Sequence, residues 1–416
     1  MIAPNLVIDS AHLQNQLEAL AAYSDTPSPA ITRILFTPME LKARQYIRDL
    51  MTQAGLQIHE DAMGNIFGRW HGTEAELPAV STGSHIDAIP LSGRFDGTVG
   101  VLGAIEAIRA LKQAGFQPKR SIEVIMFTAE EPTRFGIGCI GSRAMSGALS
   151  PQVLEDLQDK DGLTFGAVRQ SAGYTTPLES IELKSGYYHA FVELHIEQGP
   201  RLEASGIPIG IVTAIAAPAT LRIIIEGEGG HAGTVLMPTR KDALTASAEL
   251  ILAVEKIARE STSPDAVATV GLVNVYPGAV NSIPNRVVLE VDIRDIDIDS
   301  HNEMIKAVQQ TLQNICQKRD VSGTLTILNQ DAPCYAGQEV VSTLVTLSQS
   351  LGLPHQQMVS RAYHDTLFMA QICPVSMIFV PSQGGYSHRP EEYTSIEDIT
   401  QGVTLLAHAL ADLAMT

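Results

Sequence analysis

The run from Ile122 to Thr128, apolar apart from Glu123 and its closing threonine, is followed, one residue later, by two adjacent glutamates, Glu130 and Glu131, and then by Pro132. A continuous run of this kind reads as a strand buried on both faces. Carboxylates delivered at its end are not an ordinary solvated pair: at least one must point into a pocket or carry a costly unpaired charge. Strands buried on both faces belong to α/β sheets covered by helices, and open sheets of that class keep their ligands at the carboxyl ends of the strands. The chain is therefore expected to fold around such a sheet with a polar site at that edge.

Four further residues of metal-ligating type sit at the edges of apolar runs: His85 and Asp96 around a glycine-rich turn, His195 in VELHIEQGP, and His388 in GGYSHRPEEY. A His/Asp/Glu set without cysteine suits zinc or manganese in a hydrolase, and not a cysteine-bound structural zinc. Alone, each residue has a plainer reading. In isolation His85 reads first as a strand-end histidine bonded to backbone, while Asp96 reads equally as a turn aspartate and His195 as a pairing residue on a sheet face. Asp87 adds weight to His85, because a carboxylate two residues on can accept the second imidazole proton and fix which nitrogen faces a metal. For the glutamate pair, chemistry offers a division of labour in which Glu131 ligates a metal and Glu130 is the general base.

The first part of the chain alternates helix and strand signals. SAHLQNQLEALAAYS and MELKARQYIRDLMTQAG are amphipathic helices, LQIHEDAMGNIFGRW is strand, turn and strand, and Val99 to Ala114 is a core-facing helix. The texture changes near residue 212. From there the order is strand, a helix from Pro238 to Ala258, two strands, a helix from His301 to Lys318, and a strand, an α+β pattern with its own four-stranded sheet. A helix near Glu339 to Leu351 and the strand VSMIFVP restore the first texture. The expected fold is α/β: a discontinuous catalytic domain, 1–212 and 330–416, with a mixed sheet between helices, and an inserted α+β dimerisation or lid domain at 213–329.

A net charge of −18 argues against nucleic acid and anionic membranes as partners. The four cysteines are scattered without a CxxC and are expected as free thiols. MIAPNLVIDSAHL lacks a basic region followed by an apolar stretch, and no segment is long enough to span a bilayer, so a cytoplasmic location is expected.

Several stretches in order, GSHIDAIPLSGRFDGTVGVLGAIEAI, FTAEEPTRFGIGCIGSRAMSG, LHIEQGPRLE, GEGGHAG, PGAVNSIPNRVVLEVDIRDID and GYSHRPEEYTS, resemble the aminoacylase and carboxypeptidase-like M20 family of dinuclear amidohydrolases. Within it the chain is similar to the hydantoinase/carbamoylase branch, whose members act on N-carbamoyl-L-amino acids, allantoate or ureidoglycolate. The AIPLSG turn, Pro132 after Glu131, and the run from Ser360 to Ser395 look most like the ureidoglycolate type.

The resemblance implies two divalent ions per subunit, manganese or alternatively zinc. His85 and His195 would lie on one side, Glu131 and His388 on the other, and Asp96 between them. It implies that Gln198, Asn281 and Arg294 bind a small carboxylate substrate, and that His231 stabilises the oxyanion in the neighbouring active site of a homodimer. From the residues alone, Arg294 reads equally as an ion pair with Asp292 or Asp295, His231 as a turn histidine, and His364 and Asp365 as core or cap groups. The implied activity is cleavage of a ureido or carbamoyl C–N bond, with ureidoglycolate going to glyoxylate with ammonia release. N-carbamoyl-L-amino acid or allantoate hydrolysis is the enzymatic alternative, and a catalytically silent dimeric binding protein the remote one.

Overall fold

The computed structural model describes residues 6–416. The first five residues of the stretch read for a leader lie outside them. The chain divides into two compact units, one running to Thr213 and resuming over Ala336–Thr416, the other Ala214–Tyr335.

The first unit is built on a mixed sheet. Its main strands are β1 (Gln57–Glu60), β2 (Ile66–Trp70), β3 (Ala79–His85), β4 (Ile122–Phe127), β5 (Tyr188–Ile196), β6 (Ile209–Ile215) and β7 (Val375–Val380). They are ordered β6-β7-β5-β3-β4-β2-β1. The central four, β7, β5, β3 and β4, are parallel, while β6, β2 and β1 join antiparallel.

Alternation explains why β4 is buried throughout and, apart from Glu123, apolar. Val124 and Met126 enter the core formed with the helices Ser10–Ala21, Pro38–Gln53, Thr98–Gln113, Gln338–Ser350 and Ile396–Leu413. Ile125 and Phe127 enter a second core, with Phe36, Ile140, Phe165, Phe191 and Met369. The sheet thus lies between two apolar layers, as expected for strands buried on both faces. Residues 134–186, for which the sequence suggested no regular elements, hold three short helices, Ile140–Met145, Pro151–Asp156 and Phe165–Ser171, that build this second layer.

Local signals place the helix starts. Thr37 caps the helix Pro38–Gln53 by accepting from the Glu40 N–H, and Pro38 takes the first turn, where its missing N–H costs nothing. Ser395 caps Ile396–Leu413 by accepting from the Asp398 N–H.

The second unit has a four-stranded antiparallel sheet, ordered Val267–Tyr276, Arg286–Asp295, Ala217–Glu226, Ser322–Gln330. Its helices Ala243–Arg259 and Ile298–Arg319 pack on the alternate residues Leu221, Ile223, Leu289, Val291 and Ile293. The unit extends past residue 329 because Cys334 and Tyr335 pair antiparallel with Ile215 and Ala214, joining outgoing and returning chain. Among the described residues no helix is long and apolar enough to cross a membrane.

Candidate metal centre

Four of the five ligand candidates of the first unit, and Glu130 with them, emerge at the carboxyl ends of the four parallel strands. His85 ends β3, Glu130 and Glu131 follow β4, His195 is the penultimate residue of β5, and His388 lies in the loop after β7. Neighbouring strands bring them level: His85 pairs with Phe127, and His195 with Phe379. Asp96 arrives from the turn before the helix Thr98–Gln113. Gly97 closes that turn at φ +64°, and a Cβ there would lie 2.4 Å from His85 Nε2, so only glycine leaves the ring its place.

The side chains form two groups that share Asp96. Asp96 Oδ1 is 3.4 Å from His85 Nε2 and 3.2 Å from His195 Nε2. Its Oδ2 is 3.3 Å from His388 Nε2, which is 3.4 Å from Glu131 Oε1. These contacts are long for charged hydrogen bonds, and their lengths match the edge of a tetrahedron, about 3.3 Å for two ligand atoms ~2.0–2.1 Å from one zinc. Both inner histidines are oriented for ligation through Nε2: Nδ1 of His195 donates to the Ile196 carbonyl at 2.8 Å, and Nδ1 of His85 to the Asp87 carbonyl at 3.0 Å. Glu131 Oε1 is buried without a hydrogen-bond partner. An orphaned carboxylate oxygen beside an imidazole nitrogen, in a set of hard and borderline donors, fits a divalent cation.

Electrostatics point the same way. Burial opposes charge on Asp96, but hydrogen bonds with His195, His388 and His85 outweigh it and hold the carboxyl well below its usual range. Burial, with the nearby Asp96 charge, pushes Glu131 up to about 8. Burial also pushes Glu130 well above the usual carboxylate range; His85 opposes this and Glu131 adds to it. The hydrogen bond to Asp96 raises His388 to about 9. Such a crowd of buried anions favours added positive charge.

Glu130 Oε2 lies 3.7 Å from His85 Nε2, and Oε1 accepts from the Cys139 thiol at 3.5 Å. The expected role of Asp87 needs correction. The His85 proton goes to the Asp87 backbone carbonyl, with the nearer carboxylate oxygen 3.6 Å away. The carboxylate instead accepts the N–H groups of Glu130, at 3.2 Å, and Glu131, at 3.0 Å. The carboxylate is thus held by two charge-assisted bonds from buried main-chain amides.

Gln198, strained at φ +56°, donates from Nε2 to Asp96 Oδ2 at 2.7 Å. His388 is also at positive φ, +58°. His364 packs edge-on against His195, with centroids 4.6 Å apart, and Asp365 accepts from Ser142 Oγ while its Oδ2 is buried without a partner.

Three remaining candidates belong to the second unit. His231 pairs with Ser282, its Nδ1 accepts from the Gly233 N–H at 3.1 Å, and the adjacent Ala232 N–H donates to the Asn281 carbonyl, so His231 and Asn281 share one tip of that unit. Arg294 forms the ion pair that the residues alone allowed, donating from Nε to Asp292 at 2.8 Å and from Nη2 at 3.2 Å.

Sequence reasoning passed over Glu193, Ser387 and Glu392. Glu193, fully buried on β5, accepts from Ser84 Oγ at 2.7 Å and from the Thr366 N–H and hydroxyl. Its place two residues before His195, on the same strand face, was the available signal.

The model of the peptidase family M20/M25/M40 matches residues 82–412. The chain is similar to a ureidoglycolate hydrolase of Arabidopsis thaliana, 52% identical over 100% of this chain and 88% of the relative. It is likewise similar to a ureidoglycolate hydrolase of Oryza sativa subsp. japonica, 54% identical over 98% and 85%. Among solved structures it resembles AtUAH in complex with (S)-hydroxyglycine, with a TM-score of 0.90, 52% identity and 99% of both chains covered. AtUAH in complex with glyoxylate gives a TM-score of 0.90, 53% identity and the same coverage.

Proposed function

Because the chain belongs to the peptidase family M20/M25/M40, we propose that it is a metal-dependent amidohydrolase that cleaves the ureido C–N bond of ureidoglycolate. The observation that carries this reading is identity above one half, along the whole chain, to relatives named for that activity.

His85 and His195 would hold one divalent ion, and Glu131 and His388 a second, with Asp96 facing both; manganese is the first expectation and zinc the alternative. When bound, such ions supply Lewis-acid charge that acidifies water and polarises a carbonyl. The protein's own part begins with Glu130. Its carboxylate takes the proton of the attacking water as the C–O bond forms, and burial, which raises its proton affinity, lets it hold that proton until the C–N bond breaks. The proton then goes to the leaving nitrogen, which departs as ammonia. The carbamate left behind loses carbon dioxide to give hydroxyglycine, which breaks down towards glyoxylate.

Arg294 would take the substrate carboxylate in its planar fork in exchange for Asp292, with Asn281 and Gln198 binding the polar remainder. His231 would stabilise the oxyanion in the neighbouring subunit of a homodimer.

The test is turnover by purified, manganese-loaded protein of ureidoglycolate, allantoate and several N-carbamoyl-L-amino acids, followed by ammonia and glyoxylate release. The highest kcat/KM is expected on ureidoglycolate. A preference for another substrate would move the assignment within the branch, and no turnover of any would leave the silent binding protein.

A further inference from the structure

Glu392 stands four residues beyond His388 and is 4% exposed, although its neighbour Glu391 is an exposed residue paired with Arg389. Its Oε1 accepts the N–H groups of Phe95, at 2.8 Å, and Asp96, at 3.1 Å. Its Oε2 is 2.9 Å from Ser387 Oγ, which is also 2.9 Å from Asp96 Oδ2. One buried carboxylate therefore grips the main chain that presents Asp96 and, through Ser387, the residue just before His388. The contact is close-packed: a Cβ on Gly93 would lie 2.3 Å from Glu392 Cβ.

We propose that Glu392 is a positioning residue that locks the Asp96 turn to the His388 loop, so that Asp96 Oδ2, His388 Nε2 and Glu131 Oε1 converge on one cation. The inference rests on the reading of these three residues as ligands. Both segments are irregular, and ordering each only when a cation arrives would subtract its entropy cost from the affinity. Glu392 meets that cost during folding. Its grip acts through main-chain amides, so it exists without the ion and is measurable without it.

The chemistry also distinguishes substitutions. In Glu392→Gln the amide oxygen can still accept from Phe95 and Asp96, and the amide NH2 can donate to Ser387 Oγ, leaving the serine proton for Asp96. Glu392→Ala removes all three links.

The experiment compares wild type, Glu392→Ala, Glu392→Gln and Asp96→Ala by two readouts: amide hydrogen exchange of the metal-free protein and calorimetric titration with manganese ion. Glu392→Ala should speed exchange at the Phe95 and Asp96 amides while the amides of β4 stay protected, and should weaken manganese binding by ~10–100-fold, the scale for residues that support metal ligands. Glu392→Gln should recover most of both. Should Glu392→Ala fail to fold, Ser387→Ala cuts the same link to Asp96 and is expected to weaken binding too. Wild-type exchange and affinity in Glu392→Ala, or in its absence wild-type affinity in Ser387→Ala, alongside lost binding in Asp96→Ala, would overturn the positioning role and leave the ligands standing. Wild-type binding by Asp96→Ala would remove the ligand reading, and the proposal with it.

Discussion

Asp87 accepts the backbone N–H of Glu131 on its Oδ2 at 3.0 Å. The residue two beyond the β3 histidine thus fixes the main chain that ends β4, so two strand ends are tied before any cation binds. With the Glu130 amide on Oδ1, Asp87→Ala would leave two buried N–H groups without their acceptor. Each is expected to cost about 1–3 kcal/mol. Denaturant unfolding should show lower stability, and calorimetry weaker metal binding; Asp87→Asn, which keeps one acceptor oxygen, should fall between. Unchanged stability in Asp87→Ala would mean water replaces the carboxylate.

Asp96 faces both histidine groups, and removing it should leave each short of an anionic ligand. Elemental analysis of Asp96→Ala is expected to find neither ion at stoichiometric occupancy. Chelation of the wild type should abolish turnover, and manganese should restore it best. Retention of one full ion equivalent by Asp96→Ala would show that the aspartate serves a single site.

The metal-free protein should lose stability as pH rises. His388 is raised from 6.5 to about 9, and Glu131 from 4.5 to about 8. A group whose folded pKa is raised binds its proton more tightly when folded, so its contribution is complete below the unfolded pKa and lost on passing the folded one. The two windows overlap, and the melting temperature should fall between pH 6.5 and about 9 in the presence of chelator. His388→Ala should flatten the upper part of that fall. A melting temperature that rises over the same interval would contradict the sign.

Glu130→Gln preserves shape but cannot accept a water proton. Its kcat should drop by at least ~10²-fold with metal retained. If Glu130→Gln loses metal and Glu131→Gln keeps it, the two roles are reversed.

A homodimer in which His231 serves the partner's site can be tested by mixing. Co-refolding His231→Ala with Glu130→Gln in equal amounts makes half the dimers mixed, each with one site having both groups. About a quarter of wild-type activity should return. No activity beyond that of the separate mutants would place both groups in one subunit.

Much of this protein can be read from its sequence, because the signals are local. Apolar alternation and the switch of texture near residue 212 are short-range patterns, and they are enough for a sheet between helices with a second α+β unit. His85, Asp96, Glu131, His195 and His388 stand out because chemically expensive groups follow apolar strands, where their cost demands a purpose.

Pairings across the chain are another matter. The same dipeptide occurs twice at the site's edge, as Glu130-Glu131 and as Glu391-Glu392, yet the first pair is buried together while the second divides, Glu391 outward to Arg389 and Glu392 inward to the Asp96 turn. Nothing in RPEEY distinguishes the inward glutamate. The amides it accepts lie 296 and 297 residues away. Likewise the Asp87 carboxylate is turned from its neighbouring imidazole by amides just beyond the end of another strand. Strand character and the cost of burying charge are properties of neighbours in sequence, so the chain alone determines them. Which buried oxygen meets which amide depends on the register of strands and loops brought together by packing, and only the folded molecule decides it.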